Sequence, residues 1–187
     1  MQTKQLSIAA VICAAGSSSR MGGVKKEFLP LEGSSFGGTT AGKPLTVLGA
    51  ALDAFVSSPR IGPIVVVVPP GEENSARASL PPELLSGKSP GDGKERILFV
   101  SGGSTRRASV RNALLFLKDL HPSHVLIHDG ARPWIKPELI EEIIDAAIKY
   151  SAVIPALALT ETPKELECAA EAPSPEIRFI KAIIFCH

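Results

Sequence analysis

Short apolar runs alternate along this chain with stretches of helical period, and that alternation limits the possible folds more than any other feature. The runs are Ile8 to Ala14, Ile64 to Val68, Ile97 to Val100, His124 to His128 and Ala152 to Leu157. Each is the length of a strand. Strands separated by helices are too far apart in sequence for hairpins, so they pair in parallel with the helices crossing over the sheet faces. Between the runs, Val47, Leu48, Ala51, Leu52, Phe55 and Val56 form one helical stripe, as do Val110, Ala113, Leu114 and Leu117, and the residues from Leu139 to Ile148. All three stripes are expected to pack on the sheet as core. Pro137 suits the first turn of the last helix. The pattern predicts an α/β fold around a mostly parallel sheet. With 187 residues the chain is long enough for one well-buried core, so a single domain over residues 1–187 is expected.

Charge and cysteine usage narrow the function. Lys and Arg number 20 against 19 Asp and Glu, so no global basic field points to nucleic acid, and any phosphate chemistry must be local. Cys13, Cys168 and Cys186 form no C-x-x-C pair and leave an odd thiol, which points to a reducing, cytoplasmic setting. The apolar start "SIAAVICAA" is strand-length and runs into a glycine turn, unlike a signal peptide. No apolar stretch reaches the roughly 18 residues that a spanning helix needs, so no membrane partner is expected. Glu32 to Lys43 and Ser86 to Lys94 are rich in Gly and Ser without apolar period, and should be surface loops.

Three segments could carry chemistry, each at a strand end, where doubly wound sheets hold ligands. In "AAGSSSRMGGVKKEF", Ala14, Ala15 and Gly16 would let backbone N–H groups approach phosphate oxygens, with Arg20 and Lys26 supplying positive charge. A plain strand-to-helix turn with surface cations fits this stretch equally well. It is not a dinucleotide fingerprint, because Ser18 and Met21 occupy the second and third glycine positions. Just downstream, Gly37, Gly42 and Lys43 nearly spell a phosphate-binding G-x-x-x-x-G-K-[ST] loop. Pro44 breaks it by removing both the hydroxyl and an N–H donor. In "VSGGSTRRASVRNAL", Gly102 and Gly103 make a turn, Ser104 is a plausible N-cap, and Arg106 and Arg107 sit where a helix dipole disfavours cations. Anion binding would explain them, and so would solubility. In "HVLIHDGARPW", Asp129 and Gly130 stand where nucleotide enzymes hold a metal or a ribose. His121, His124 and His128 lack the fourth ligand of a zinc site.

Taken in order, "AAGSSSRMGGVKKEFL", "GGSTRRASVRNAL", "VLIHDGARP" and "PALALTETPKE" resemble the 2-C-methyl-D-erythritol 4-phosphate cytidylyltransferase family over about residues 6 to 167. The resemblance implies a three-layer, Rossmann-like nucleotidyltransferase of the nucleotide-diphospho-sugar transferase type. It implies transfer of a cytidylyl group from CTP to a sugar-alcohol phosphate, with release of pyrophosphate and use of Mg2+, in isoprenoid precursor biosynthesis. It assigns Arg20 and Lys26 to catalysis on the triphosphate. Ala14, Ala15, Gly16, Gly103, Ser104 and Ser109 would bind the nucleotide, Asp129 and Gly130 would lie at the ribose, Asp129 would meet the metal, and Thr162 would contact the acceptor. A ribitol-phosphate cytidylyltransferase, or a nucleotide-binding relic without turnover, is the alternative.

Departures from the family pattern are local until the end. Ser104 stands where many relatives carry an acid, Gly130 replaces an alanine, and Glu161 and Pro163 alter a D-T-x-K element. After about Glu167 the ending "IRFIKAIIFCH" matches none of the family's later elements. A C-terminally incomplete or frame-shifted chain is therefore expected. The resemblance also implies a homodimer formed through an arm that this ending does not reproduce.

Overall fold

Four of the apolar runs form strands: β1 (Ile8–Cys13), β2 (Ile61–Val68), β3 (Ile97–Ser101) and β4 (His124–Asp129). They make one parallel sheet in the order β3-β2-β1-β4. The computed structural model describes residues 7–16, 22, 24–32, 44–89 and 93–156. Arg20, Thr162, Cys168, Cys186, Leu157 and the Gly37–Lys43 stretch lie outside the described residues. The described residues also form five α-helices: α1 (Val47–Ser57), α2 (Glu73–Ala78), α3 (Pro82–Leu85), α4 (Arg106–Leu117) and α5 (Pro137–Lys149). A 3-10 turn covers Lys26–Phe28. The chain divides into two compact units, Met1–Glu141 and Glu142–His187.

The first unit holds the sheet. Residues Ile64 to Val68 of β2 are buried without interruption, as expected of a strand covered on both faces. Strand alternation sends Ala9 and Val11 to one face, where with Val65 and Val67 they pack against Ala113 and Leu117 of α4. The other face meets α1, whose Phe55 ring lies 5.2 Å from the ring of His128 on β4. Leu48, Leu52 and Phe55 are fully buried, each contributing about 1.5–3 kcal/mol relative to an exposed position. The unit is therefore three layers, α4, sheet and α1. Flanking residues of the helical stripes are not core: Leu114 of α4 is 42% exposed and Leu139 of α5 is 36% exposed. Each of these two stripes is wider than the arc that is buried.

The helix caps differ in part from the sequence reading. Thr46 caps α1, its hydroxyl accepting from Gly49 N–H at 3.1 Å. Thr105, not Ser104, caps α4, accepting from Ala108 N–H at 3.1 Å. Thr105 has the extended backbone that an N-cap needs, with φ −132° and ψ 161°. The end of α1 is closed by Arg96, which is buried and donates from Nη1 to Val56 O at 2.7 Å and from Nη2 to Ile61 O at 2.9 Å. Its Nη2 also reaches the carbonyls of Ser58 and Phe55. Carbonyls at a helix C-terminus lack intrahelical partners, and one guanidinium serves several of them here.

The second unit is described from Glu142 to Ala156. It continues α5 to Lys149, where Tyr150 N–H donates to Ala146 O at 2.9 Å, and then loses regular structure. The strand expected over Ala152 to Leu157 does not form in its described part, 152–156. Pro155 has no N–H to give to a ladder, and Ile154 is 65% exposed rather than covered.

Candidate functional site

At the carboxyl ends of the strands the backbone turns away in tight steps. Ala14 N–H donates to Val67 O at 2.8 Å, Gly102 N–H to Val68 O at 2.7 Å, and Gly130 N–H to Cys13 O at 2.9 Å. β1 has β2 on one side and β4 on the other, so the direction of winding reverses beside it. Such a reversal opens a crevice outside the strand ends. A cleft of about 950 Å3 lies there, its wall including Cys13, Ala15, Gly16, Lys26, Gly103 and Asp129.

Close packing shapes the floor. A Cβ on Gly102 would meet the Ala15 Cβ at 2.4 Å and Val68 O at 3.2 Å, so only glycine fits. A Cβ on Gly103 would meet the Ala108 Cβ at 2.5 Å. The Ser109 hydroxyl, buried at the floor, accepts from Gly103 N–H at 3.1 Å and fixes this turn. Ala14 and Gly130 are buried and stand behind the wall, where a Cβ on Gly130 would meet that of Ala14 at 3.2 Å. They let the two strand ends approach, while Ala15 and Gly16 face the cleft.

The rim is charged. Lys25 ties down the turn by donating from Nζ to Gly16 O at 2.9 Å. Lys26, one residue on, is exposed and lines the cleft. Glu27 is buried beneath the rim, and its Oε2 has no hydrogen-bond partner among the described residues. Across the cleft, Asp129 receives Arg106 Nη2 on Oδ1 at 2.9 Å and Arg132 Nε on Oδ2 at 3.2 Å. Among the described residues the cleft wall carries four formal cations, Lys25, Lys26, Arg106 and Arg132, against two carboxylates, Glu27 and Asp129. Its net positive field suits a polyanion.

Two titratable groups show how this environment acts. Burial pushes the Cys13 thiol up, Arg106 opposing that shift and Asp129 adding to it, so the thiol stays protonated and inert. Burial holds His128 below its ordinary value, against the raising effect of its bond to the Arg132 carbonyl. A neutral ring facing a carbonyl must carry its proton on that nitrogen, so Nε2–H donates to Arg132 O at 3.0 Å. Arg132 N–H in turn donates to Asp129 O at 2.9 Å, and the segment from His128 to Arg132 becomes one braced turn.

The structure thus brings Ala15, Gly16, Lys26, Gly103, Ser104, Ser109 and Asp129 to one cleft. Sequence reading missed Lys25, Glu27 and Arg132. Lys25 and Glu27 flank a residue it selected, and Arg132 stands three positions beyond Asp129, a spacing that lets a tight turn join the two charges.

The family model for IspD, 2-C-methyl-D-erythritol 4-phosphate cytidylyltransferase, matches residues 8–173. A 2-C-methyl-D-erythritol 4-phosphate cytidylyltransferase of Pelotomaculum thermopropionicum is 36% identical over 159 residues, which are 84% of this chain and 58% of that protein. A bifunctional enzyme IspD/IspF of Brucella abortus is 41% identical over 118 residues, 63% of this chain and 28% of its own length. Among solved structures, the 4-diphosphocytidyl-2C-methyl-D-erythritol synthase of Anaerococcus prevotii aligns with a TM-score of 0.58 at 28% identity, covering 87% of this chain and 60% of that one. The 2-C-methyl-D-erythritol 4-phosphate cytidylyltransferase of Thermus thermophilus aligns with a TM-score of 0.55 at 27% identity and the same coverage of 87% and 60%. The chain therefore spans less than two thirds of the length of these relatives. Over that span, its three-layer α/β fold and its sequence place it in the 2-C-methyl-D-erythritol 4-phosphate cytidylyltransferase family.

Proposed function

We propose that the cleft binds CTP and serves cytidylyl transfer to 2-C-methyl-D-erythritol 4-phosphate, releasing pyrophosphate. One observation supports this reading above the others: Ala15, Gly16, Gly103, Ser109, Lys26 and Asp129 converge on a single cleft outside the strand ends. Small residues and backbone amides at Ala15, Gly16 and Gly103 accommodate the nucleotide without side chains in the way. The braced turn from His128 to Arg132 holds Asp129 in one orientation, which suits a role at the ribose. Lys26 lies on the rim, where the triphosphate would extend, and Arg20 is assigned to the same charge by its place in the motif.

An acceptor phosphate is already an anionic nucleophile near neutral pH. The chain need not supply a general base, only alignment and neutralisation of charge as the phosphoryl bond exchanges. A rim of cations around a floor of backbone amides suits that task. Among the described residues no group of three or more His, Cys, Asp or Glu could hold a metal ion. Mg2+ is commonly held by one or two carboxylates together with substrate phosphates, and a lone Asp129 fits that donor set. Mg2+ bound there with the nucleotide would neutralise phosphate charge. The unpaired cysteine pattern supports a cytoplasmic setting.

Calorimetry with CTP and Mg2+, followed by a pyrophosphate-release assay with methylerythritol phosphate, tests the reading. Lys26→Ala should lower turnover by about 10²–10³ while leaving the melting temperature unchanged. Absence of CTP–Mg2+ binding by the wild-type chain would overturn it.

A further inference from the structure

Asp129 is engaged twice from different elements. Arg132 belongs to the same turn and moves with it, its backbone N–H bonded to Asp129 O at 2.9 Å. Arg106 comes from the first position of α4, on the other side of the cleft, and binds Oδ1 at 2.9 Å with its side chain 58% exposed. A cation that coordinates Asp129 at about 2.1 Å would stand within a few ångströms of that guanidinium. The two positive charges then repel each other and compete for one carboxylate. Arg132 has the more exposed side chain, 77%, but shares the turn of Asp129; Arg106, carried by a separate element, is the group able to leave.

We propose that Arg106 is a positioning residue that holds the Asp129 carboxylate while the cleft is empty, yields it to the metal–nucleotide complex, and turns its guanidinium to the incoming phosphates. This rests on the nucleotide reading above. An exposed ion pair contributes little, about 1 kcal/mol or less, so exchange is easy when a replacement anion arrives with the cation. Nucleotide phosphates offer that anion, and a bare divalent cation does not. The pair therefore discriminates against metal without nucleotide. It also keeps Asp129 in one orientation until the complex arrives.

Titration of the full 187-residue chain with Mn2+, followed through the electron paramagnetic resonance signal of the free ion, tests the exchange. Without nucleotide, Arg106→Gln should raise Mn2+ affinity by up to about fivefold, the reach of one exposed ion pair. Arg106→Lys should return it toward the wild-type value, and Asp129→Asn in the Arg106→Gln background should abolish the gain. With CTP present, Arg106→Gln should weaken Mn2+–CTP binding by a similar factor. Unchanged affinity for bare Mn2+ in Arg106→Gln, or a gain that survives Asp129→Asn, would overturn the proposal while wild-type Mn2+–CTP binding upholds the nucleotide reading. Failure of the wild type to bind Mn2+–CTP would overturn both.

Discussion

Arg96 and Arg106 flank the same strand, β3, one before its amino end and one past its carboxyl end. Arg96 is 7% exposed and directs its guanidinium to backbone carbonyls at the end of α1 and the start of β2. Arg106 has a side chain 58% exposed and meets a carboxylate across an open cleft. One holds the fold together and the other is free to exchange its partner. The same residue type thus serves opposite ends of the sheet: the amino ends are closed by fixed, buried hydrogen bonds, whereas the carboxyl ends are left open with exposed, weak ones.

Substitutions can break that comparison, and the largest effect should come from the closed end. Arg96→Ala strands several buried carbonyls and leaves a cavity, at a cost of about 3 kcal/mol or more in urea unfolding. A loss under about 1 kcal/mol would mean that water replaces the guanidinium and that the end is not closed. Gly102→Ala comes next, because its methyl would stand 2.4 Å from the Ala15 Cβ. Overpacking of this kind costs about 1–3 kcal/mol, and CTP binding by calorimetry should be lost with it, since the floor must shift.

His128 sharpens the comparison through pH. Burial holds its pKa below the ordinary 6.5, so the unfolded chain takes up the proton more readily than the folded one. Its contribution is complete above the unfolded pKa and is lost as pH falls through and below 6.5. The melting temperature should therefore fall on acidification over that window. His128→Gln should flatten the fall. The smallest effect belongs to the open end: Arg106→Gln should change unfolding free energy by no more than about 0.5 kcal/mol, although it alters what the cleft binds.

Much of this was legible in the sequence, because buried parallel strands write continuous apolar runs and their helices write stripes. Four strands appear as expected, with ends displaced by a few residues; β2 begins at Ile61, which pairs with Ile8, and the register is irregular across Gly62 and Pro63 before pairing resumes at Ile64. The Ala152 run is not a strand over its described residues, 152–156, where Pro155 cannot donate to a ladder and apolar character alone misleads. Ser104 lost the cap position to Thr105 because either hydroxyl suits that role and only backbone geometry chooses between them. In the cleft, glycines and small residues at strand ends were readable, since close approach demands them. Arg96 was invisible: a lone arginine before a strand carries no signal of the carbonyls that the fold will bring around it.

The central position of β1 has a consequence in time. Its first residue, Ile8, pairs with Ile61 on one side and with His124 on the other. Beside that second pairing, the bond from Ser123 to Ser7 O spans 116 residues. At synthesis rates of about 5–20 residues per second, several seconds to tens of seconds separate the appearance of β1 from that of β4. The apolar strand that anchors the sheet must wait that long for its second neighbour. Pairings so distant in sequence also slow folding after release, since loop closure comes before any reward from contact. Assembly of this sheet is therefore expected to finish only after most of the chain has been made.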